Sequence, residues 1–451
     1  MFKICSQLSK LHATDEEEKN IREFILSIKE DEDRQESFFQ YCKKYKLAPW
    51  IFIQLNRKGL FSQLSKKTQE QFTSFYQKIK NQNEHRNEEA IRFLSAFKEQ
   101  NIPVIIVKGN LFIHDVYEDT GYKKMNDFDL LINKEDWVKV QEIYFDLGYI
   151  PMGFGYRGEK QEPAKFSHVG IPFISKNLKC IAGTMWGLKS PSAAFTVPIE
   201  AAWETAENFD FHGLTLQKLS PEFNILHLIL HMGIYKIGIR DTMDVFNYWD
   251  AVGVDEDLLY DLLVKANALD KAYFTLVISN LSSNSIPPEF IERIKPKKSS
   301  FLTRRLAARL ATYKASGDIH YSYNDYFQDI EKEVIYMGLF HQFHQKLPYY
   351  LKVLKLTLFP KMEAALKLHD KAYRPTQKDK VVARIKAPYY VFSLLAQEIG
   401  WTFSILLFVK LFFDTFASLK NYFIKKETYF DYIKKLGVNP ADIERTVAGI
   451  E

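Results

Sequence analysis

The stretch from Asn101 to Ile132 constrains the fold most, because its hydrophobic pattern changes period twice. Val104-Ile-Ile-Val107 is a compact apolar run and reads as a buried strand. Lys108-Gly109-Asn110 interrupts it, and Leu111 to Tyr117 then reads as a helix with Leu111, Phe112 and Val116 inside. Asp127-Phe-Asp129 runs straight into Leu130, Leu131 and Ile132, which reads as a second short strand entering a core. Strand, glycine turn, helix and strand in close succession predict a small sheet with a helix returning the chain to it.

The same residues carry chemistry. A glycine turn between a strand and a helix start offers free backbone N–H groups and room for close approach, a recipe for phosphate. A lysine beside the turn adds a point charge. Period two in a strand sets Asp127 and Asp129 on one face, where a divalent metal would meet the phosphates of a nucleotide. The plain alternatives are an ordinary strand-to-helix turn with an exposed lysine, and a solvated acid pair. On the residues alone both stand.

The pattern Val107-Lys108-Gly109, Tyr117 and Asp127-Phe-Asp129-Leu-Leu resembles uncharacterised nucleotidyltransferase-like proteins of bacterial gene clusters. These are a divergent branch of the DNA polymerase beta-type nucleotidyltransferase superfamily. Further matching pieces are Leu219-Ser-Pro-Glu222, Leu226-His227, His231, Gly238-Ile-Arg240-Asp241, Asp244 and Tyr248-Trp249, so the resemblance runs over roughly residues 35 to 260. It implies that Gly109 and Asn110 hold a triphosphate and that Asp127 and Asp129 bind Mg2+ (or Mn2+). Lys108 then supports the developing charge or locks the turn to the sheet, and Arg240 meets a phosphate. The implied reaction moves a nucleoside monophosphate from a nucleoside triphosphate to an unknown hydroxyl acceptor on a small molecule, sugar or protein.

One departure matters. The superfamily carries a third acid on a neighbouring strand, and here Phe166 to Ile174 and Leu178 to Trp186 read as the matching strand hairpin. No Asp or Glu occurs between Pro163 and Ile199, and Gly183-Thr-Met-Trp186 stands where relatives show an acid followed by His-Trp. His168 and Glu200 are the candidate substitutes. With two acids a metal is held less firmly and the attacking hydroxyl lacks an activating carboxylate. Two alternatives therefore stay open: a catalytically degenerate nucleotide-binding or scaffold protein, and a transferase using a sugar-nucleotide donor.

The expected fold class is α+β, a small mixed-sheet nucleotidyltransferase-like core embedded in a largely helical protein. The expected segments are helical 1–98, the core 99–218, helical 219–370, and a basic, aromatic-rich helical region 371–451. Thr14 with Glu17 predicts a capping box opening a helix over Asp15 to Lys29. Residues 66–98 form a long amphipathic pattern with a break near Asn81-Gln82-Asn83, and Trp137 to Leu147 is a helix ending at Gly148. Residues 150–165, including Gly153 to Gly158, read as a loop beside the site, either contacting substrate through the candidate phosphate contacts Arg157 and Lys160 or serving only as a connection. Ser220-Pro221 caps a helix in which His227 and His231, four apart, read as core histidines rather than metal ligands. Arg240 and Asp244, also four apart, suggest an ion pair.

With 451 residues, 46% of them hydrophobic, the chain can bury a sizeable core in two or three packed units. A formal charge of +5 is too mild and dispersed to point to nucleic acid. Three scattered cysteines suggest a reducing compartment, and Met1-Phe-Lys-Ile-Cys-Ser-Gln lacks the apolar core of a signal peptide, so a cytoplasmic location is expected. Near the C-terminus, Lys371 to Lys386 is basic, and Trp401 to Phe416 is largely apolar, its only charges being Lys410 and Asp414. Those two charges argue against a transmembrane helix. The expectation is burial against the protein or a second subunit, in a homo-oligomer. Peripheral membrane contact is the alternative.

Overall fold

The computed structural model describes residues 1–152, 160–163, 167–189, 195–232, 238–317, 330, 333–334, 337, 342–369, 375–423 and 429–448. The loop Gly153 to Gly158 with Arg157, and Lys371 and Arg374 of the basic stretch, lie outside them. The protein is largely helical and contains a small mixed seven-stranded sheet, an α+β architecture. The strands are β1 (Val104–Ile106), β2 (Phe128–Ile132), β3 (Ile150–Pro151), β4 (Phe173–Ile174), β5 (Ile181–Met185), β6 (Glu207–Phe211) and β7 (Leu214–Lys218). The chain divides into two compact units, one of Met1–Leu131 with Val197–His320, the other of Ile132–Thr196 with Tyr321–Glu451.

In the first unit the strand order is β2-β1-β7-β6. β1 pairs with β7 in parallel, Ile105 opposite Gln217, and β6 and β7 form an antiparallel hairpin turning at His212-Gly213. Phe128 at the start of β2 meets Phe93 at 5.7 Å and Phe211 at 5.5 Å, so the sheet is tied to the long helix by aromatic edges. The N-terminal helices follow their local signals. Thr14 and Glu17 form the capping box of Asp15–Ile28, and Asp31 caps Glu32–Lys44.

Helix Lys66–Glu99 is continuous, against the expected break at Asn81-Gln82-Asn83. Asn83 is buried, donates through Nδ2 to the carbonyls of Thr120 (2.6 Å) and Lys123 (2.9 Å), and accepts at Oδ1 from Arg86 and the Met125 amide. The polar residue is there to hold the segment that leads into the Asp pair. It does not end the helix.

In the second unit β3-β4-β5 run antiparallel, with Phe173 opposite Pro151 and Ala182. A bridge between Val169 and Met185 extends the hairpin expected from the sequence. Helix Trp137–Asp146 precedes β3, and Gly148 with φ 78° supplies the left-handed turn after it. Tyr429, Ile433, Val438 and Ile443 from the last two helices pack with Ile150 and Ile174, and the Tyr429 hydroxyl donates to the Pro151 carbonyl at 2.9 Å. Pro440–Ala448 is the final helix, starting where Asn439-Pro440 places it.

His114 in the π-helical turn Ile113–Tyr117 is unusual in being held neutral. Its Nε2 is buried without a hydrogen-bond partner, and its ring lies 5.2 Å from Phe211 and 5.0 Å from His212. Burial, with the His212 charge adding to it, lowers its pKa from 6.5 to about 4. The unfolded chain takes up this proton first, so the contribution is complete above about pH 6.5 and is lost as pH falls toward 4.

Two outcomes are expected. His114→Gln should flatten the decline in urea stability between pH 6.5 and pH 4 by roughly 1–3 kcal/mol relative to the parent. Asn83→Ala should cost about 2–3 kcal/mol by leaving buried partners unpaired, and hydrogen exchange should speed up at the backbone amides between Thr120 and Met125.

Candidate functional site

All six residues singled out from the sequence belong to the first unit. Lys108 follows β1 with φ 60° and ψ −145°, a conformation that residues other than glycine rarely adopt. It persists because both ends are fixed. The backbone opens the short helix Gly109–Phe112, and Nζ lies 2.8 Å from Asp129 Oδ2 with both side chains largely buried. Gly109 packs closely, since a Cβ there would lie 2.3 Å from Met125 Cε and displace the end of that flexible side chain. The Tyr122 hydroxyl donates to the Gly109 carbonyl at 3.4 Å.

Asn110 is buried and its Nδ2 donates to the Asp127 carbonyl at 3.2 Å. The amide nitrogen facing a carbonyl fixes the orientation of the group, and leaves Oδ1 buried with no hydrogen-bond partner. Asp127 is exposed at the mouth of β2 and Asp129 is buried one residue inside it, while Phe128 between them points into the aromatic core. Lys108 thus meets the Asp129 carboxylate, and Asn110 meets the main-chain carbonyl of Asp127.

Beneath them lies a polar core that the sequence reading missed. Lys123 forms an ion pair with Asp244, whose Oδ1 accepts from the Tyr117 hydroxyl at 3.0 Å. Tyr117 stacks on Tyr122 at 3.9 Å and accepts from Asn247 Nδ2 at 3.2 Å. Asn247 also donates to the Ser9 carbonyl and accepts from the Leu11 amide. Burial pulls the Lys123 pKa down, against the opposing pull of the Asp244 carboxylate. Burial and the same carboxylate push both tyrosines up, so they remain protonated donors. The available signal was the Lys123-Lys124 pair just ahead of the Asp motif.

Arg240 does not form the ion pair with Asp244 that their spacing suggested. Asp244 turns to Tyr117 and Lys123 instead, while Arg240 Nη2 donates to the Lys124 carbonyl at 3.3 Å and Nη1 stands 3.9 Å from Asp241. Arg240 Nε is buried without a hydrogen-bond partner. Of the other candidates, His227 is buried, His231 is exposed, and Lys160 pairs with Glu142. His168 belongs to the second unit, and Glu200 is exposed in the first turn of helix Ile199–Glu204. Among the described residues no group of three or more His, Cys, Asp or Glu side chains is disposed to hold a metal, so neither completes a triad.

The donors nevertheless suit a hard cation in kind. Two carboxylates and the orphaned Asn110 Oδ1 are all oxygens, and a carboxylate that accepts one lysine bond keeps further acceptor capacity.

With this geometry in place, the comparisons agree. Residues 31–282 match the model of a family described as an uncharacterised nucleotidyltransferase, and the chain belongs to that family. No curated protein and no solved structure matches it.

Removing one member of the buried pair tests the polar core. Lys123→Met should destabilise the protein by about 3–5 kcal/mol in urea unfolding, because Asp244 is then an uncompensated buried charge. Adding Asp244→Asn to that variant should restore part of the loss.

Proposed function

We propose that the protein transfers a nucleoside monophosphate from a nucleoside triphosphate to a hydroxyl of a small molecule, sugar or protein. The observations that carry this reading are the Lys108–Asp129 ion pair and the Asn110 contact to the Asp127 carbonyl, within a chain of the nucleotidyltransferase family. Asp127 and Asp129 would hold Mg2+ or Mn2+. When bound, the metal supplies positive charge that shields the departing pyrophosphate. Gly109 and Asn110 present backbone N–H groups to the β and γ phosphates, and the bare Cα of Gly109 allows close approach. The helix they open is only four residues long, so local N–H groups and Lys108 carry the attraction rather than a long helix dipole. Arg240, through the buried Nε that has no partner, is the further cationic group on offer to a phosphate.

A second reading is favoured by one observation. Lys108 already neutralises Asp129, and no third acid joins the pair among the described residues. A catalytically degenerate protein that binds a nucleotide without turning it over has this arrangement. A sugar-nucleotide donor uses the same metal and phosphate contacts.

Titrating the four ribonucleoside triphosphates and a nucleoside-diphosphate sugar, with Mg2+, with Mn2+ and with chelator, separates these. Metal-dependent binding of a triphosphate, weakened at least about tenfold in Asp127→Ala/Asp129→Ala, supports the transferase site, a loss of about 1.4 kcal/mol. Pyrophosphate release on adding acceptors then distinguishes turnover from binding alone. Preference for the nucleotide sugar moves the donor class, and no binding of any of them to folded protein defeats the reading.

A further inference from the structure

Helix Trp401–Ala417 has its polarity inverted. Its buried positions are Ser404, Leu411 and Thr415, with Ser418 just beyond, and three of these four are hydroxyl residues. Ser404 Oγ donates to the Gly400 carbonyl and Thr415 Oγ1 to the Leu411 carbonyl, both at 2.7 Å, and Ser418 Oγ bonds the Thr415 carbonyl. The exposed large apolar side chains are Trp401, Ile405, Leu406, Val409, Phe412, Phe413 and Phe416, and Thr402, Lys410 and Ala417 are exposed as well. At 100° per residue the seven apolar ones fall within an arc of about 140°, across the helix from the buried stripe. Most of this helix is therefore not buried against its own chain, which leaves the second subunit and the membrane surface of the sequence expectation as the covers for it. Trp401–Lys420 is long and apolar enough to cross a membrane by length and composition, yet only 22% of its most apolar stretch is buried.

In the preceding helix, Gln377–Ile399, Ala383, Ala387, Val391, Ser393, Leu394 and Ala396 are buried, while Val381, Ile385 and Tyr389, spaced by four, are exposed, and Tyr389 stacks against Trp401. Small and hydroxyl residues at helix contacts with large apolar ones facing outward is the arrangement of helices whose solvent is lipid.

Charge selects the partner. Residues 342–423 hold 13 Lys and Arg against 5 Asp and Glu, a net +8, so the rest of the chain is net −3. A second copy docking through the same helices would bring two net-positive stretches of chain together. An anionic bilayer meets both the charge and the apolar arc. The exposed Lys410 and Asp414 pair with each other and lie just outside the arc, so the helix fits the headgroup plane and not the bilayer centre. We infer that the face formed by Val381, Ile385 and Tyr389 with the exposed arc of helix Trp401–Ala417 docks on an anionic lipid surface.

The test is flotation of the full-length chain with vesicles of phosphatidylcholine alone and of phosphatidylcholine with phosphatidylglycerol at seven to three. Strong recovery with the anionic vesicles, falling about tenfold with the neutral ones or in high salt, is the expected result. Ile405→Asp/Phe413→Asp should lose flotation about tenfold while keeping its thermal melting. Should that variant fail to fold, Lys378→Glu/Lys386→Glu changes only exposed charge and should show the same loss. Three results overturn the inference. One is no flotation with either vesicle, and another is resistance of bound protein to alkaline extraction, which marks a spanning helix. The third is a stable oligomer in light scattering that Ile405→Asp/Phe413→Asp dissociates.

Discussion

The buried carboxylate of Asp244 is the constraint on which the first unit depends. A charge taken out of water must find a counterion and hydrogen bonds or it costs several kcal/mol, on the order of 3–5 when one partner is removed. Here the counterion is Lys123 from the segment before β2, and the hydrogen bond is from Tyr117, which closes the turn after β1. Asn247, one helical turn from Asp244 (positions 244 and 247), carries the network on to Ser9 and Leu11. The two segments that border the Asp pair, and the N-terminus, thus meet at one group. Trp50 adds to this, stacking edge-on to Tyr117 at 4.9 Å and donating to the Ser9 carbonyl.

Above that node, Lys108 sits in a backbone conformation that costs about 1–3 kcal/mol for a residue with a Cβ. The contact with Asp129 gives a reason for keeping lysine where glycine would be relaxed. Chain strain here fixes a cation against the acid of the pair that is less open to water. The exposed partner, Asp127, retains its access. This asymmetry, one acid neutralised and one open, is why nucleotide binding and nucleotide turnover are separate questions for this site.

Several features were legible because they are local. The β1 strand, the glycine turn, the Asp pair leading into β2, the Thr14 capping box and the left-handed Gly148 each rest on a handful of neighbouring residues. The missing third acid was legible as well, since the stretch after Pro163 contains none to offer. Other features failed to show for a physical reason. Asn83 reads as a helix breaker until its partners, some forty residues away, are known. Arg240 and Asp244 have the spacing of an ion pair, but spacing along one helix says nothing of a stronger partner arriving from another element. For the apolar helix from Trp401, composition does not reveal which face is turned outward, so the sequence left its own chain, a second subunit and a membrane surface as covers.

The amino-acid sequence by itself determined the α+β class and the order strand, glycine turn, helix, acid pair, because these follow from local periodicity and backbone chemistry, and it carries the motifs by which the chain resembles its family. Only the tertiary structure decided which lysine serves which aspartate, that Asn110 is left with a buried free oxygen, and that the last long apolar helix hides its hydroxyls and shows its rings. Each of these depends on groups far apart in the chain competing for the same buried charge or the same apolar surface, and only folding settles that competition.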